Sequence, residues 1–347
     1  MDKKLTYEAA GVNIGNAEEA KREMAGHMHT KDKRVLNRPG AFASLFEADF
    51  TGIEHPVLVL KAEEPGSKQL LAFQHNKIRG ICFDLINHLV NDIIVMGAKP
   101  EAVLDIILCG KLEKETVVQI VTHISEACRE QECSLVGGET SEQPEVLPEG
   151  SYMLSASVLG VVDRDHIIDG SRIRVGDEVL ALASNGLHTN GYTLVRKLME
   201  EFPAVLGGRV DGETFVDAIL RPHKCYYGPL KELLGKPELH GLAHITGGGL
   251  QGNLNRILPA GMDALVSLDR IEIPEIFHTI QAFGKVPPAD MLRTFNMGVG
   301  IALVASPDAM PRIQEHLARH DCHSFIIGKI VEGDRQVRFE GELQLRE

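Results

Sequence analysis

Five short stretches of this 347-residue chain combine residue types that do chemistry. In Val136-Gly137-Gly138-Glu139-Thr140-Ser141-Glu142, two glycines follow a short apolar run. Backbone N–H groups can approach an anion there, and the carboxylates of Glu139 and Glu142 can hold Mg²⁺ through oxygen. A tight loop with solvated acids is the alternative. In His244-Ile245-Thr246-Gly247-Gly248-Gly249-Leu250, three glycines open a helical pattern. Their N–H groups and the positive end of the helix dipole suit a phosphate, with His244 beside them as acid, base or donor. Asp84, His88 and Asp92 recur at i, i+4 and i+8 of an apolar helix and form one polar stripe. That stripe is either a solvent face or, because Asn91 and Asp92 sit among Val90, Ile93 and Ile94, a carboxylate needing a metal or substrate partner. Ser184-Asn185-Gly186-Leu187-His188-Thr189-Asn190-Gly191-Tyr192 reads as a strand–loop–helix junction with Asn190 as N-cap. Lys68 closes Lys61-Ala62-Glu63-Glu64-Pro65-Gly66-Ser67-Lys68 and either neutralises phosphate or is an exposed loop lysine. Neither a G-x-G-x-x-G after a strand nor a complete G-x-x-x-x-G-K-[ST] loop is present, so the Rossmann and Walker classes are unsupported.

The elements that would position these residues alternate between apolar runs and helical periodicity. Strands are expected at 56–60, 103–108, 134–136 and 152–162. Leu85, Ile86, Leu89, Val90, Ile93 and Ile94 mark a helix over 81–96, stopped by Gly97-Ala98-Lys99-Pro100, and Val117, Ile120, Val121, Ile124 and Cys128 mark a second. Glycine and aspartate pairs near 169–177 read as a boundary. Beyond it, strands are expected near 179–183, 264–268, 299–305 and 324–330, and helices near 192–200, 250–257, 275–283 and 310–319. The pattern predicts a mixed α/β (α+β) protein of two domains, 1–168 and 169–347.

Composition narrows the partners. A hydrophobic fraction of 44% with 24% charged residues excludes wholesale disorder. A formal net charge of −13 argues against nucleic acid or an anionic membrane as main partner, since either needs a basic face. It does not argue against a nucleotide, because a local Mg²⁺ or a few lysines reverse the sign of a site. The 34 glycines exceed the usual ~7% share and cluster at strand ends. No stretch approaches about 18 uninterrupted apolar residues, so no transmembrane helix is expected. The N-terminus lacks the apolar region of a secretory signal. The six cysteines show no metal-like spacing, and buried reduced thiols in a cytoplasmic protein are expected.

Together the segments resemble a known family. Tyr7-Glu8-Ala9-Ala10-Gly11-Val12, Val90-Asn91-Asp92-Ile93, Gly137-Gly138-Glu139-Thr140-Ser141-Glu142, Gly186 to Tyr192, His244 to Gly249 and Phe295-Asn296-Met297-Gly298-Val299-Gly300 follow the order and approximate spacing of phosphoribosylformylglycinamidine cyclo-ligase (AIR synthetase). The resemblance covers nearly the whole chain. It implies a two-domain homodimer in which the N-terminal strands build a shared barrel, with ATP in a cleft at the interface, and a C-terminal α/β domain. It implies an ATP- and Mg²⁺-dependent reaction of purine biosynthesis on a small ribonucleotide. The formyl amide oxygen of formylglycinamidine ribonucleotide is phosphorylated, then an internal nitrogen closes the imidazole ring and expels phosphate. By the same resemblance His244, Lys68 and Asp92 are the catalytic candidates, and Glu63, Asp92 and Glu139 the metal ligands. Gly66, Ser67, Lys68, Asn91, Gly137, Gly138, Thr140, Asn190, Gly247, Gly248 and Gly249 are the nucleotide- and phosphate-binding candidates.

The departures gather in one region. The family segment G-T-D-G-V-G-T-K aligns with Lys61 to Lys68, which reads K-A-E-E-P-G-S-K. Glu63 replaces the metal-binding aspartate, Glu64 adds charge where triphosphate is expected, and Pro65 removes a backbone donor. The loop usually read G-G-F-G is Gly40-Ala41-Phe42-Ala43, and His88 stands where an apolar residue is usual. The alternatives these changes raise are a ligand-binding or regulatory dimer without cyclase activity, and an enzyme phosphorylating a different acceptor.

Overall fold

The computed structural model describes residues 14–28, 30–37 and 40–346, so the Tyr7 to Val12 motif lies outside the described residues. The chain divides into two compact units. The first takes in the described residues up to Val90 together with Pro100–Val161; the second takes in Asn91–Lys99 and the described residues from Val162 onward.

The first unit contains α1 (Ile14–His27), β1 (Pro56–Glu63), α2 (Lys68–Gln74), most of α3 (Ile78–Ile94), β2 (Lys99–Cys109), α4 (Lys114–Glu130), β3 (Ser134–Glu142) and β4 (Tyr152–Asp163). Its four strands form one sheet in the order β1-β4-β2-β3. One face of β2 turns inward through Val103, Asp105 and Ile107, and α4 buries Val117, Ile120, Val121, Ile124 and Cys128. The other face of the sheet is apolar and open. Leu58 (53% exposed), Leu60 (75%), Leu104 (43%), Ile106 (43%) and Met153 (42%) alternate with covered neighbours, the period-two pattern of a sheet with one face unburied.

The second unit is built on a six-stranded sheet in the order β12-β9-β11-β5-β10-β8. Its strands are β5 (Glu178–Ala183), β8 (Leu239–His244), β9 (Met262–Ser267), β10 (Val299–Ala305), β11 (Ser324–Glu332) and β12 (Val337–Glu340), with β6 (Arg209–Val210) and β7 (Glu213–Thr214) a separate small hairpin. The six pair antiparallel except β12 with β9. The helices are α5 (Tyr192–Glu201), α6 (Phe215–Ile219), α7 (Tyr227–Leu230), α8 (Gly249–Leu254), α9 (Glu275–Gly284), α10 (Pro288–Thr294) and α11 (Met310–Arg319). Every residue of β10 is buried, as its uninterrupted apolar run requires.

Mixed α/β architecture is as expected, and β10 and α11 match the expected bounds to the residue. Three local expectations fail. Gly137 and Gly138 are not a loop: they pair in register with Leu104 and Asp105 of the parallel neighbour β2, just past a bulge. The segment closing at Lys68 is not a loop to its end, because Lys68 opens α2 and is fully buried. The polar stripe of α3 is not a solvent face, since Asp84 and His88 are buried and Asp92 is half-buried against His244. Among the described residues, no helix is long and apolar enough to cross a membrane. None of the six cysteines is in a disulfide, and burial pushes the Cys82 and Cys128 thiols well above their ordinary range.

Candidate functional site

In the second unit β8 delivers His244 to a strand end. His244 pairs with Ile301 in the β10 ladder, and the next residue, Ile245, donates its N–H to Gly300 O at 2.9 Å. The buried imidazole is thereby held by backbone on the edge of a fully buried strand. Its Nδ1 lies 2.8 Å from Oδ1 of Asp92, which the last turn of α3 carries. Its Nε2 lies 3.1 Å from Nε2 of His223. The Nδ1 of His223 lies 3.4 Å from the Thr189 hydroxyl, and the ring of His188 stacks on His223 at 4.0 Å and 18°.

A carboxylate only accepts, so Nδ1 of His244 carries the hydrogen and donates to Asp92. With both imidazoles neutral, His223 Nε2–H donates to His244 Nε2, and the Thr189 hydroxyl donates to His223 Nδ1. When His244 gains a proton, both of its nitrogens donate. His223 then accepts at Nε2 and donates from Nδ1 to Thr189. The chain Asp92–His244–His223–Thr189 thus has two self-consistent hydrogen-bonding states that differ by one proton. The three imidazoles have ligand atoms within 4.8 Å of one another. However, His188 and His223 are nearly parallel, so their in-plane lone pairs do not converge on one point, and the geometry favours a proton chain over a metal centre.

The glycines beside His244 are explained in part by conformation and packing. Gly248 (φ +93°) and Gly249 (φ +63°) lie in the left-handed region, and a Cβ at Gly249 would stand 1.8 Å from the Leu292 carbonyl. Asn253 Nδ2 donates to the carbonyls of Thr246, Gly247 and Gly249 and fixes the turn. Asn190 is not the N-cap of α5; Gly191, with φ +81°, takes that position. The Asn190 side chain turns toward the glycine loop, where a Cβ at Gly247 would stand 3.5 Å from its Oδ1, and its buried Nδ2 meets no partner among the described residues. Asn296, from the Phe295–Gly300 motif, anchors the 184–192 loop, accepting from Ser184 Oγ at 3.0 Å and donating to Gly186 O at 2.9 Å. Asn91 is a strut, donating to Lys224 O at 2.8 Å and accepting from Tyr226 N at 2.9 Å.

In the first unit Glu63 ends β1, with Lys61 Nζ at 2.9 Å and His88 Nε2 at 3.9 Å from the same carboxylate oxygen. Glu64 accepts from Gln69 Nε2 at 2.9 Å, which turns it onto the following helix α2. Gly66 takes φ +64° and Ser67 precedes α2 without capping it by its side chain. Lys68 donates to Asp84 Oδ1 at 2.8 Å, both groups being fully buried. Burial pushes the Lys68 amine below its ordinary range, against the pull of the Asp84 charge. A lysine so engaged is a core ion pair rather than an exposed loop cation. Glu139 is exposed on β3, opposite Ile106 in the ladder, and Thr140 is half-buried opposite Ile107. Gly138 exists for Asp105, because a Cβ there would stand 1.8 Å from its Oδ1. Burial pushes the Asp105 carboxyl up to about 7.

His223 escapes a reading of the sequence. It sits in Arg221-Pro222-His223-Lys224, with no glycine or acid at its side, and its partner His244 is 21 residues away. Nothing in its local sequence sets it apart from the other histidines of residues 169–347.

Residues 54–162 match the family described as "AIR synthase related protein, N-terminal domain", and residues 174–340 match its C-terminal domain. Among curated relatives, a phosphoribosylformylglycinamidine cyclo-ligase of Alkaliphilus metalliredigens is 40% identical over 96% of this chain and 97% of its own length. One of Carboxydothermus hydrogenoformans is 38% identical over 96% and 98%. Among solved structures, E. coli HypE aligns with TM-score 0.68 at 16% identity over 94% of each chain. A thiamine-monophosphate kinase of Stenotrophomonas maltophilia aligns with TM-score 0.61 at 17% identity over 96% of this chain and 98% of its own. At such identities these two share the fold.

Proposed function

Because the chain belongs to the AIR synthase related family, we propose that it is a phosphoribosylformylglycinamidine cyclo-ligase and closes the imidazole ring of its ribonucleotide substrate at the expense of ATP. The observation that carries this reading is the likeness to the named cyclo-ligases, which covers 96% of this chain and 97% and 98% of theirs. An amide oxygen is a poor leaving group until it becomes a phosphate ester, and the attacking nitrogen must lose a proton as the ring closes. The first need is met by ATP, which supplies the phosphoryl group.

The second need falls to the second unit. A proton received through the Thr189 hydroxyl at His223 Nδ1 sends the His223 Nε2 hydrogen across to Nε2 of His244, whose imidazolium Asp92 aligns and stabilises. Asp92 acts through His244 rather than as a metal ligand. Asn190 Nδ2 and the backbone N–H groups of Gly247 and Gly248 supply donors for substrate oxygens, while the Gly249 N–H closes the turn on Thr246 O. In the first unit Glu63 and Glu139 are hard oxygen donors of the kind Mg²⁺ takes; they stand on the opposite edge strands β1 and β3, so each would hold its own ion beside the triphosphate. The Gly66-Ser67 turn and the Thr140 hydroxyl are the nucleotide contacts there. Gly137 and Gly138 act indirectly, Gly138 by letting β3 lie against Asp105 and Gly137 by leaving room for the Ser44 hydroxyl.

The open apolar face of the four-stranded sheet supports a homodimer, in which two such sheets cover one another. Leu60→Arg is expected to turn a dimer into a monomer by light scattering; a wild-type monomer overturns this part.

The reaction is tested with the full chain, Mg²⁺-ATP and formylglycinamidine ribonucleotide. One ADP per aminoimidazole ribonucleotide formed is expected. ADP without ring closure, or no turnover at all, overturns the reading.

A further inference from the structure

A second cluster of metal-binding side chains lies away from the residues above, on the surface of the second unit. Glu232, just past α7, and His316 and His320 of α11 each offer one ligand atom, and these atoms lie within 4.8 Å of one another. The two histidines are four residues apart, one helical turn, so both project from one face. Their ring centroids are 4.7 Å apart and tilted by 43°, an angle at which in-plane lone pairs can converge. This differs from the near-parallel stack of His188 on His223.

Two further features suit a cation. His316 Nε2 lies 3.0 Å from the Pro229 carbonyl, which can only accept, so Nε2 carries the hydrogen and Nδ1 the lone pair. A ring N–H donated to a backbone carbonyl is how proteins orient a ligating imidazole. In addition, His316 is in the last turn of α11 and His320 is its C-cap, where the helix dipole presents its negative end. The nearby cation Arg319 is held by Glu315 at 2.7 Å.

We propose that Glu232, His316 and His320 form a surface site for a borderline divalent ion of the Zn²⁺ class. Two imidazoles and one carboxylate select such ions over Mg²⁺, which prefers all-oxygen shells. Zinc bonds of ~2.1 Å set neighbouring ligands about 3.4 Å apart, a closure within reach because Glu232 and His320 are exposed and free to change rotamer. The ion ties α11 to the segment after α7 and leaves one coordination position to water.

Calorimetric titration of the full chain with Zn²⁺ in excess Mg²⁺ tests the site, with no need for turnover. One equivalent is expected to bind and to raise the unfolding temperature. His320→Gln and Glu232→Gln, both at exposed positions, are expected to weaken binding at least tenfold, and His316→Ala to do the same. His223→Ala is expected to leave it unchanged. Absence of binding, binding insensitive to the three surface substitutions, or loss of binding in His223→Ala would each overturn the proposal.

Discussion

Asp92 Oδ1 and His244 Nδ1 meet at 2.8 Å across 152 residues of sequence, one on the last turn of α3 and the other at the end of β8. The carboxylate sets the tautomer of the imidazole and stabilises it when it carries a proton. Asp92→Asn keeps the shape and removes the charge. The expected result is a fall in kcat of about 10²–10³ with KM little changed, the signature of a lost general-base contribution, read from steady-state kinetics.

His223 caps the other nitrogen of His244. His223→Ala is expected to cost about tenfold in kcat, near the lower edge of what proton-transfer groups contribute. It should also move a limb of the pH–rate profile, which a purely structural role would leave in place. Thr189→Val, one bond further along the chain, should have the same sign and a smaller size.

Lys68 and Asp84 form an ion pair at 2.8 Å with both side chains excluded from water. Lys68→Met leaves a buried carboxylate without its cation and is expected to cost about 3–5 kcal/mol of stability by urea unfolding. Replacing both partners, Lys68→Met with Asp84→Leu, is expected to recover much of that loss. A Lys68→Met protein of unchanged stability would show that the lysine is available to a ligand instead.

Asp105 has its carboxyl raised to about 7 by burial, from near 4 in an unfolded chain. Its folded form therefore holds a proton between those values that the unfolded form has lost. The stabilisation is complete below about pH 4 and is lost as pH rises through about 7. The span is about 4 kcal/mol at the limit of full burial. Asp105→Asn is expected to flatten this dependence and to exceed the wild type in stability at pH 8, measured by denaturant unfolding across pH.

Much of the scaffold was legible because it rests on local rules. The apolar run 299–305 is a strand buried on both faces, and the three-to-four spacing over 310–319 is a helix with one face on the core. The candidate residues His244, Asp92, Asn190 and Gly247–Gly249 were legible because glycine, imidazole and carboxylate stand together in short motifs. The misreadings share one cause. Lys68 lies in a charged stretch and looks exposed, yet its partner is 16 residues on, on another helix. Gly137-Gly138 looks like a loop, yet it lies in a parallel strand where the Asp105 carboxylate demands glycine at 138 and the Ser44 hydroxyl crowds 137.

By itself the sequence determined the alternation of strands and helices, the family likeness and the chemical types available to the site. Those follow from periodicity and composition, which act over a few residues. Only the tertiary structure decided which groups are paired: Asp92 with His244, His244 with His223, Lys68 with Asp84, and Gly138 against Asp105. The physical reason is that a hydrogen bond or a buried charge pair depends on distances of about 3 Å between atoms far apart in the chain. No local propensity encodes such distances; sheet register and helix packing do.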